Sequence, residues 1–420
     1  MRHTLSAILL FLLSTTASAQ LKPRADAFPP KPNADESKVL SMASTVAEMA
    51  DWDRYPTYDT YLEMMRRWTE EYPSLCHVDT IGMSVQGRLI LSMYIEPPTD
   101  ADLYRPEFFY SSTIHGDEVT GYVMMLRLID TLLASYGNNA ELTSLMDRTR
   151  ISINPLANPD GTYRRGNNTV QGSQRYNANG VDLNRTFPNP FGPVAKNVPQ
   201  ENLAMMNYFA AHQFRLSANL HGGAEVMNYP WDSFSSSENP HPAANWWQEV
   251  CQRFVDTART YSINHFNDVT PNGYIAGGDW YIIDGGRQDY VNYYHNCLEI
   301  TMEISMQKTL SSDRLPEYWH FLAPSLINYI GEILNLPDDV GIEEIENSKL
   351  KIEIYPNPAN DQVTVTGLPE GSLIELFDTY GRLLSAFRIQ NSEFKIDVSL
   401  LTSGLYLLRT PKGTAKILKY

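Results

Sequence analysis

Two apolar segments of this chain each end at a residue type that binds metal ions, and any fold must bring those two ends together. Phe108 to Ile114 is a largely apolar run that stops at His115-Gly116-Asp117-Glu118. Leu216 to Leu220 is a second such run, and it stops at His221-Gly222-Gly223. The first reads as a buried strand and the second as a further strand candidate. A His and a Glu three residues apart, with a third ligand far along the chain, is a common way to build a catalytic zinc site. Three protein groups hold the ion and the fourth position stays open for water. Water on such an ion is acidic enough to supply a nucleophile at neutral pH. A single His-x-x-Glu is a weak signal, and a surface His at a strand end is the ordinary alternative. Position strengthens the metal reading, because sites in α/β sheets form at the carboxyl ends of strands.

The surrounding pattern alternates strands and helices. Tyr61–Glu71 has helical spacing, and Val78–Ile81 and Leu89–Ile95 read as strands around the turn Gln86-Gly87. Val119–Tyr136 is a long apolar helix, and Ile151–Leu156 is a further strand. Glu201–Phe214 and Trp246–Tyr261 read as helices, Cys297–Ile304 as a strand and Trp319–Leu334 as a closing helix. This predicts an α/β domain with a mixed β-sheet flanked by helices over residues 51–336. Beyond it, 337–349 is an acidic linker. Short alternating segments then follow at Ile352–Tyr355, Val363–Val365, Leu373–Phe377, Phe394–Val398 and Leu405–Arg409, separated by turn residues. Residues 350–420 are therefore expected to form a small all-β sandwich.

Arg2 and His3, the apolar run Leu5–Leu13 and the small residues Ala17-Ser18-Ala19 before Gln20 read as a signal peptide over 1–19. Residues 20–50, Pro- and charge-rich at first, read as an exposed lead-in. The run at Leu5–Leu13 is too short to span a bilayer, and no other segment approaches that length. The net charge of −16 argues against a nucleic-acid partner, which would need a basic surface. Three cysteines, Cys76, Cys251 and Cys297, allow at most one pair, so a packed core must supply the stability.

Several further motifs occur in order: Ile81-Gly82-Met83-Ser84-Val85-Gln86-Gly87-Arg88, Asn158-Pro159-Asp160-Gly161, Asp182-Leu183-Asn184-Arg185-Thr186-Phe187-Pro188, Asn228-Tyr229-Pro230-Trp231-Asp232, Gly285-Gly286-Arg287-Gln288-Asp289 and Asn296-Cys297-Leu298-Glu299-Ile300-Thr301-Met302-Glu303. Together with the two ligand motifs, they make residues from about Tyr55 to Leu336 resemble the zinc metallocarboxypeptidases, and within them the regulatory subfamily that includes carboxypeptidases N, E, M and D. The resemblance implies one zinc per chain, held by His115, Glu118 and His221. It implies Glu303 as general base, with Glu299 the rival four residues earlier. Arg175 would stabilise the oxyanion, with Arg164 and Arg165 as rivals. Asn184 and Arg185 would bind the substrate's terminal carboxylate, and Tyr281 would close over it. Asp232, supported by Gln288, would select a C-terminal Lys or Arg, because a buried carboxylate is left unpaired by an apolar side chain.

The tail departs from that subfamily, which usually carries a transthyretin-like sandwich. Lys351-Ile352-Glu353-Ile354-Tyr355-Pro356-Asn357-Pro358-Ala359, Leu401-Thr402-Ser403-Gly404-Leu405-Tyr406 and Lys416-Ile417-Leu418-Lys419 resemble the C-terminal sorting domain of type IX secretion substrates. That implies export past the outer membrane of a Gram-negative cell through the secretion machinery, and removal of the tail. The expectation is thus a secreted zinc carboxypeptidase acting on peptide and protein C-termini. Two other readings stand beside it: a zinc peptidase of cell-wall peptides, and an inactive binding protein on the same scaffold.

Overall fold

The protein is described from a computed structural model, which covers residues 39–98, 104–191, 197–337, 352–378, 383–391, 393–410 and 413–419. The expected signal peptide, most of the lead-in and the linker from residue 338 on lie outside the described residues. The lead-in is shorter than expected. β1 (Met42–Ala43) pairs in parallel with β2 (Tyr55–Pro56), and Ala43 and Met49 are buried in the main core. The backbone N–H of Val39 donates to Ser311 Oγ. The apolar side chains of this stretch find partners in the core, so its Pro-rich start is a poor guide to its end.

α1 (Tyr58–Glu71) begins where Thr57 caps it, its side chain accepting the Thr60 N–H. Tyr58, Tyr61, Met64, Met65 and Trp68 then fall on one buried face. β3 (Cys76–Met83), β4 (Leu89–Ile95) and β5 (Glu107–Ser112) follow, then α2 (Thr120–Ser135), α3 (Ala140–Arg148), β6 (Arg150–Asn154) and the single turn α4 (Pro159–Thr162). Next come α5 (Gln200–Ala211), β7 (Phe214–His221), β8 (Ala224–Tyr229), α6 (Ala244–Tyr261), β9 (Tyr274–Ala276), the short α7 (Gly277–Trp280), α8 (Arg287–Tyr294), β10 (Leu298–Ser305) and α9 (Leu315–Gly331). The eight-stranded sheet has the order β3-β4-β6-β5-β7-β10-β8-β9. Its middle strands β6, β5, β7 and β10 run parallel, while β4 and β8 oppose their inner neighbours.

The expected helix over Glu201–Phe214 ends at Ala211, because Phe214 opens β7 and stacks on Phe109. β8 and α8 were not foreseen. Every residue of both is buried, so neither shows the alternation or amphipathic stripe that marks an element in sequence. The three cysteines are buried and free.

Strand alternation divides the sheet into two functions. On β7, Leu216, Ala218 and Leu220 enter the core shared with α2, α6 and α9; on β10, Leu298, Ile300, Met302 and Ile304 do the same. The residues between them, Ser217, Asn219 and His221 on β7 and Glu299, Thr301 and Glu303 on β10, are polar and stand on the opposite face. All six are buried.

The tail comprises β11 (Glu353–Tyr355), β12 (Gln362–Thr366), β13 (Leu373–Asp378), β14 (Leu383–Arg388), β15 (Glu393–Asp397), β16 (Gly404–Thr410) and β17 (Gly413–Lys419). Two antiparallel sheets, β11-β12-β15 and β14-β13-β16-β17, enclose a core that includes Ile354, Val363, Leu376, Ile396 and Leu408.

Candidate active site

β5 ends at Ser112, and the chain turns through Thr113, whose φ of 62° lies in the left-handed region. That bend costs a β-branched residue energy. Its hydroxyl accepts the Ala157 N–H, tying the turn to the loop after β6. His115 follows, and Glu118 stands just before α2. His221 is the last residue of β7.

Among the described residues, these three form the group able to hold a metal ion, with ligand atoms all within 4.8 Å of one another. Glu118 Oε1 lies 3.1 Å from His115 Nδ1, Glu118 Oε2 lies 2.8 Å from His221 Nδ1, and the two Nδ1 atoms are 3.1 Å apart. Two ring nitrogens aimed at each other and at a carboxylate, all three residues buried, make a donor set that fits zinc. Each ring is held from behind. Asp182 Oδ1 sits 3.2 Å from His115 Nε2, and the Asn219 amide 2.8 Å from His221 Nε2. The group that faces His221 Nε2 is Asn219 Nδ2, and Arg175 Nη1 lies 3.1 Å from His115 Nδ1.

The electrostatics match. Burial pushes His221 down to about 4 against the pull of Glu118. Burial would also lower His115, but Glu118 and Asp182 hold it above its ordinary value. Burial would raise Glu118, yet the two imidazoles keep it well below the carboxylate range.

The register pairs Glu303 of β10 with His221 of β7, and Glu299 with Ser217. The two glutamates therefore share a face but not a fate. Glu299 is fully buried and occupied: Arg287 donates to both its oxygens at 2.8 and 3.1 Å, and Ser217 Oγ donates at 2.8 Å. Glu303 Oε2 accepts no hydrogen bond. Burial first, then Glu118, raises the Glu303 carboxyl well above its usual range.

Arg175 is half-buried beside the triad. Its Nε donates to Asp182 Oδ2 at 2.8 Å, and its Nη1 lies 3.7 Å from Glu118 Oε1. Arg164 and Arg165 are exposed on the surface. Lys308 Nζ approaches from the other side, 3.0 Å from Glu118 Oε1 and 3.5 Å from Asp117 Oδ2.

Asp182 also shapes the neighbouring turn, its carboxylate accepting the Asn184 N–H at the start of the turn Leu183–Arg185. Asn184 Oδ1 in turn accepts the Arg287 N–H at 2.9 Å, which joins this turn to the start of α8.

α8 also brings Gln288 to Asp232, with Nε2 donating to Oδ1 at 2.8 Å. The Gln288 carbonyl accepts the Thr301 N–H, so the side chain is held at both ends. Asp289 accepts the N–H groups of Asp232 and Ser233 at 2.8 and 2.9 Å. Gly277 lies against this carboxylate so closely that a Cβ there would stand 1.9 Å from Asp232 Oδ1. Asp232 Oδ2 accepts no hydrogen bond. Burial, reinforced by Asp289, raises the Asp232 carboxyl well above its ordinary value. Tyr281 stands at the end of α7, is 43% exposed, and packs edge-to-face on Trp280 with ring centroids 4.7 Å apart.

His115, Glu118, His221, Glu303 and Arg175 thus lie together, Asn184, Asp232 and Gln288 are joined through α8, and Arg185 Nη1 donates to the Asn184 carbonyl at 2.8 Å. Asp182, Asn219, Arg287 and Lys308 had no expected role. Asp182 stood within a quoted motif, but nothing in its spacing told that it would reach His115. A surface groove between α3, α6 and α9 contains none of these residues.

The zinc carboxypeptidase family model matches residues 61–328, and the secretion system C-terminal sorting domain model matches residues 353–420. Mouse carboxypeptidase D is 34% identical over 292 residues, which cover 66% of this chain and 21% of that protein. The rat carboxypeptidase N catalytic chain is 32% identical over 349 residues, covering 74% of this chain and 76% of that one. This chain spans about a fifth of the length of the carboxypeptidase D relatives it matches. Among solved structures, thrombin activatable fibrinolysis inhibitor superposes with a TM-score of 0.60 at 16% identity, covering 70% of this chain and 78% of that one. The carboxypeptidase A of Helicoverpa armigera gives 0.56 at 19% identity, covering 67% and 74%. At these identities the structural likeness speaks for the fold.

Proposed function

The chain belongs to the zinc carboxypeptidase family, with a secretion-system sorting domain at its C-terminal end, and from that premise we propose that it is an exported enzyme that removes one C-terminal residue, Lys or Arg, from peptides and proteins. One arrangement carries the reading. Glu303, with an oxygen that accepts no hydrogen bond, stands in register with His221 of the metal-binding group.

His115, Glu118 and His221 would hold the ion. A bound zinc supplies Lewis acidity there, acidifying water and polarising a carbonyl oxygen. Glu303 takes the proton from the attacking water. As the peptide C–N bond breaks, it passes that proton to the leaving amine, so the acid product gains the hydroxyl and the amine gains the hydrogen. Its raised proton affinity favours holding a proton between the two steps. Arg175, held by Asp182, offers a fixed positive charge to the oxygen on which negative charge develops.

Asn184 and Arg185 bind the carboxylate of the substrate's last residue, with the guanidinium presenting a two-pronged donor. This need for a terminal anion makes the enzyme an exopeptidase. Asp232 receives the basic side chain. A desolvated carboxylate with one empty oxygen gains its charge partner only from a cation, and Gln288 holds it in place. Tyr281 closes over the bound end.

The test is a digest of peptides that differ only in the last residue: Lys, Arg, Phe, Leu, Glu and a D-amino acid. Loss of a single residue from Lys and Arg ends, abolished by a zinc chelator, is the expected result. Cleavage of Phe or Leu ends in preference refutes the assignment of Asp232. No cleavage by zinc-loaded protein refutes the peptidase reading.

A further inference from the structure

The four-stranded sheet of the tail is apolar on both faces. Ile374 and Leu376 of β13, Tyr406 and Leu408 of β16, and Ala415 and Ile417 of β17 point into the tail's own core. Phe377 and Leu407 are their neighbours in sequence, and strand alternation sends neighbours to opposite faces. These two join a different cluster, which includes Tyr293 and Tyr294 at the end of α8 and Cys297 just before β10. Leu405 packs against that same cluster. An antiparallel sheet with one wet face would carry polar residues there. Instead Phe377 is 6% and Leu407 3% exposed.

The rim of this contact is polar, as in a protein interface. Lys416 Nζ lies 5.2 Å above the ring of Tyr293. Arg409 stacks on Phe377 at 5.2 Å while paired with Glu375. None of these residues lies near the linker in sequence, and they sit at the opposite end of α8 from Gln288.

We propose that the face formed by Phe377, Leu405, Leu407 and Lys416 is a docking surface that holds the sorting domain on α8 without the linker, so that a cut within residues 338–349 leaves the tail bound as a separate polypeptide. The surface fits one partner, the aromatic end of α8 on the same chain. Its loss would remove Lys416 from the ring of Tyr293 and take Phe377, Leu405 and Leu407 out of the apolar cluster they share with the catalytic domain. The covalent linker adds effective concentration but none of the contacts described.

The experiment uses the full chain with a protease site inserted between Asp339 and Glu346, cut and then run on native gel filtration. Co-elution of the two fragments as one species is expected, and elution of the uncombined catalytic fragment and tail as two species overturns the proposal. In the Leu407→Asp variant the cut tail is expected to separate. Should that substitution disturb the tail's own fold, read by circular dichroism before cutting, Leu405→Asp tests the same face through a side chain only partly buried. Full retention of a folded tail in the variant overturns the assignment of this surface.

Discussion

Gln288 Nε2 donates to Asp232 Oδ1 at 2.8 Å, and the second oxygen of that buried carboxylate accepts nothing. One oxygen is thus committed to Gln288, and in the proposed function the other receives the basic side chain. Replacing Asp232 with Ala should lower kcat/KM on Lys and Arg ends by on the order of 10²–10³-fold, the scale of losing one partner of a buried charge pair. Activity on Leu ends should fall far less. Parallel kinetics on the two peptides check this, and equal losses would sink the specificity role.

Glu303→Gln should keep the shape of the site while removing its proton carrier. We expect kcat to fall about 10²–10⁴-fold with KM little changed. Zinc content by atomic absorption should equal that of the wild type. A variant that loses its zinc instead would show Glu303 to be structural.

Arg287 and Glu299 form an ion pair in which both side chains are fully buried. Arg287→Met leaves Glu299 charged and unmatched, and should cost about 3–5 kcal/mol in urea unfolding. The double variant Arg287→Met/Glu299→Leu should recover much of that loss, because replacing both partners removes the stranded charge. A double variant no more stable than the single one contradicts this account.

Zinc should stabilise the fold as well as activate it, since all three candidate ligands are buried. Binding to the native state alone adds about 4 kcal/mol when free zinc is about a thousandfold above its dissociation constant. Chelation should therefore lower the melting temperature of the wild type and leave that of His221→Ala unchanged. Equal responses of the two proteins would place the zinc elsewhere.

His241 and His295 give stability a pH dependence of known sign. Burial pushes each from 6.5 down to about 3, with Lys416 adding to the effect at His295 and Asn292 opposing it at His241. Between those values the unfolded chain binds protons that the folded chain refuses, so stability rises with pH across that window. The contribution is complete above 6.5 and drains as pH falls toward 3. Replacing both with Gln should flatten the slope of unfolding free energy against pH in that range. An unchanged slope would mean that neither ring is buried neutral.

Much of this site was legible in the sequence, because short spacing and strand ends are local properties. His115 and Glu118 are neighbours on one turn, and His221 ends an apolar run that had to be a strand. The resemblance then named the remaining residues. What the sequence could not decide was competition between like groups. Glu299 and Glu303 lie on the same strand face, and Arg287 on the distant α8, with Ser217, occupies the first while Oε2 of the second accepts nothing. Arg164, Arg165 and Arg175 are chemically alike, and only the last is drawn to the triad by Asp182. α8 and β8 left no pattern, since full burial erases the contrast between faces. Spacing along a chain determines which groups can share a turn or a face. Which of them meet across the sheet depends on register and packing set by the whole core, and that is where tertiary structure decided this site.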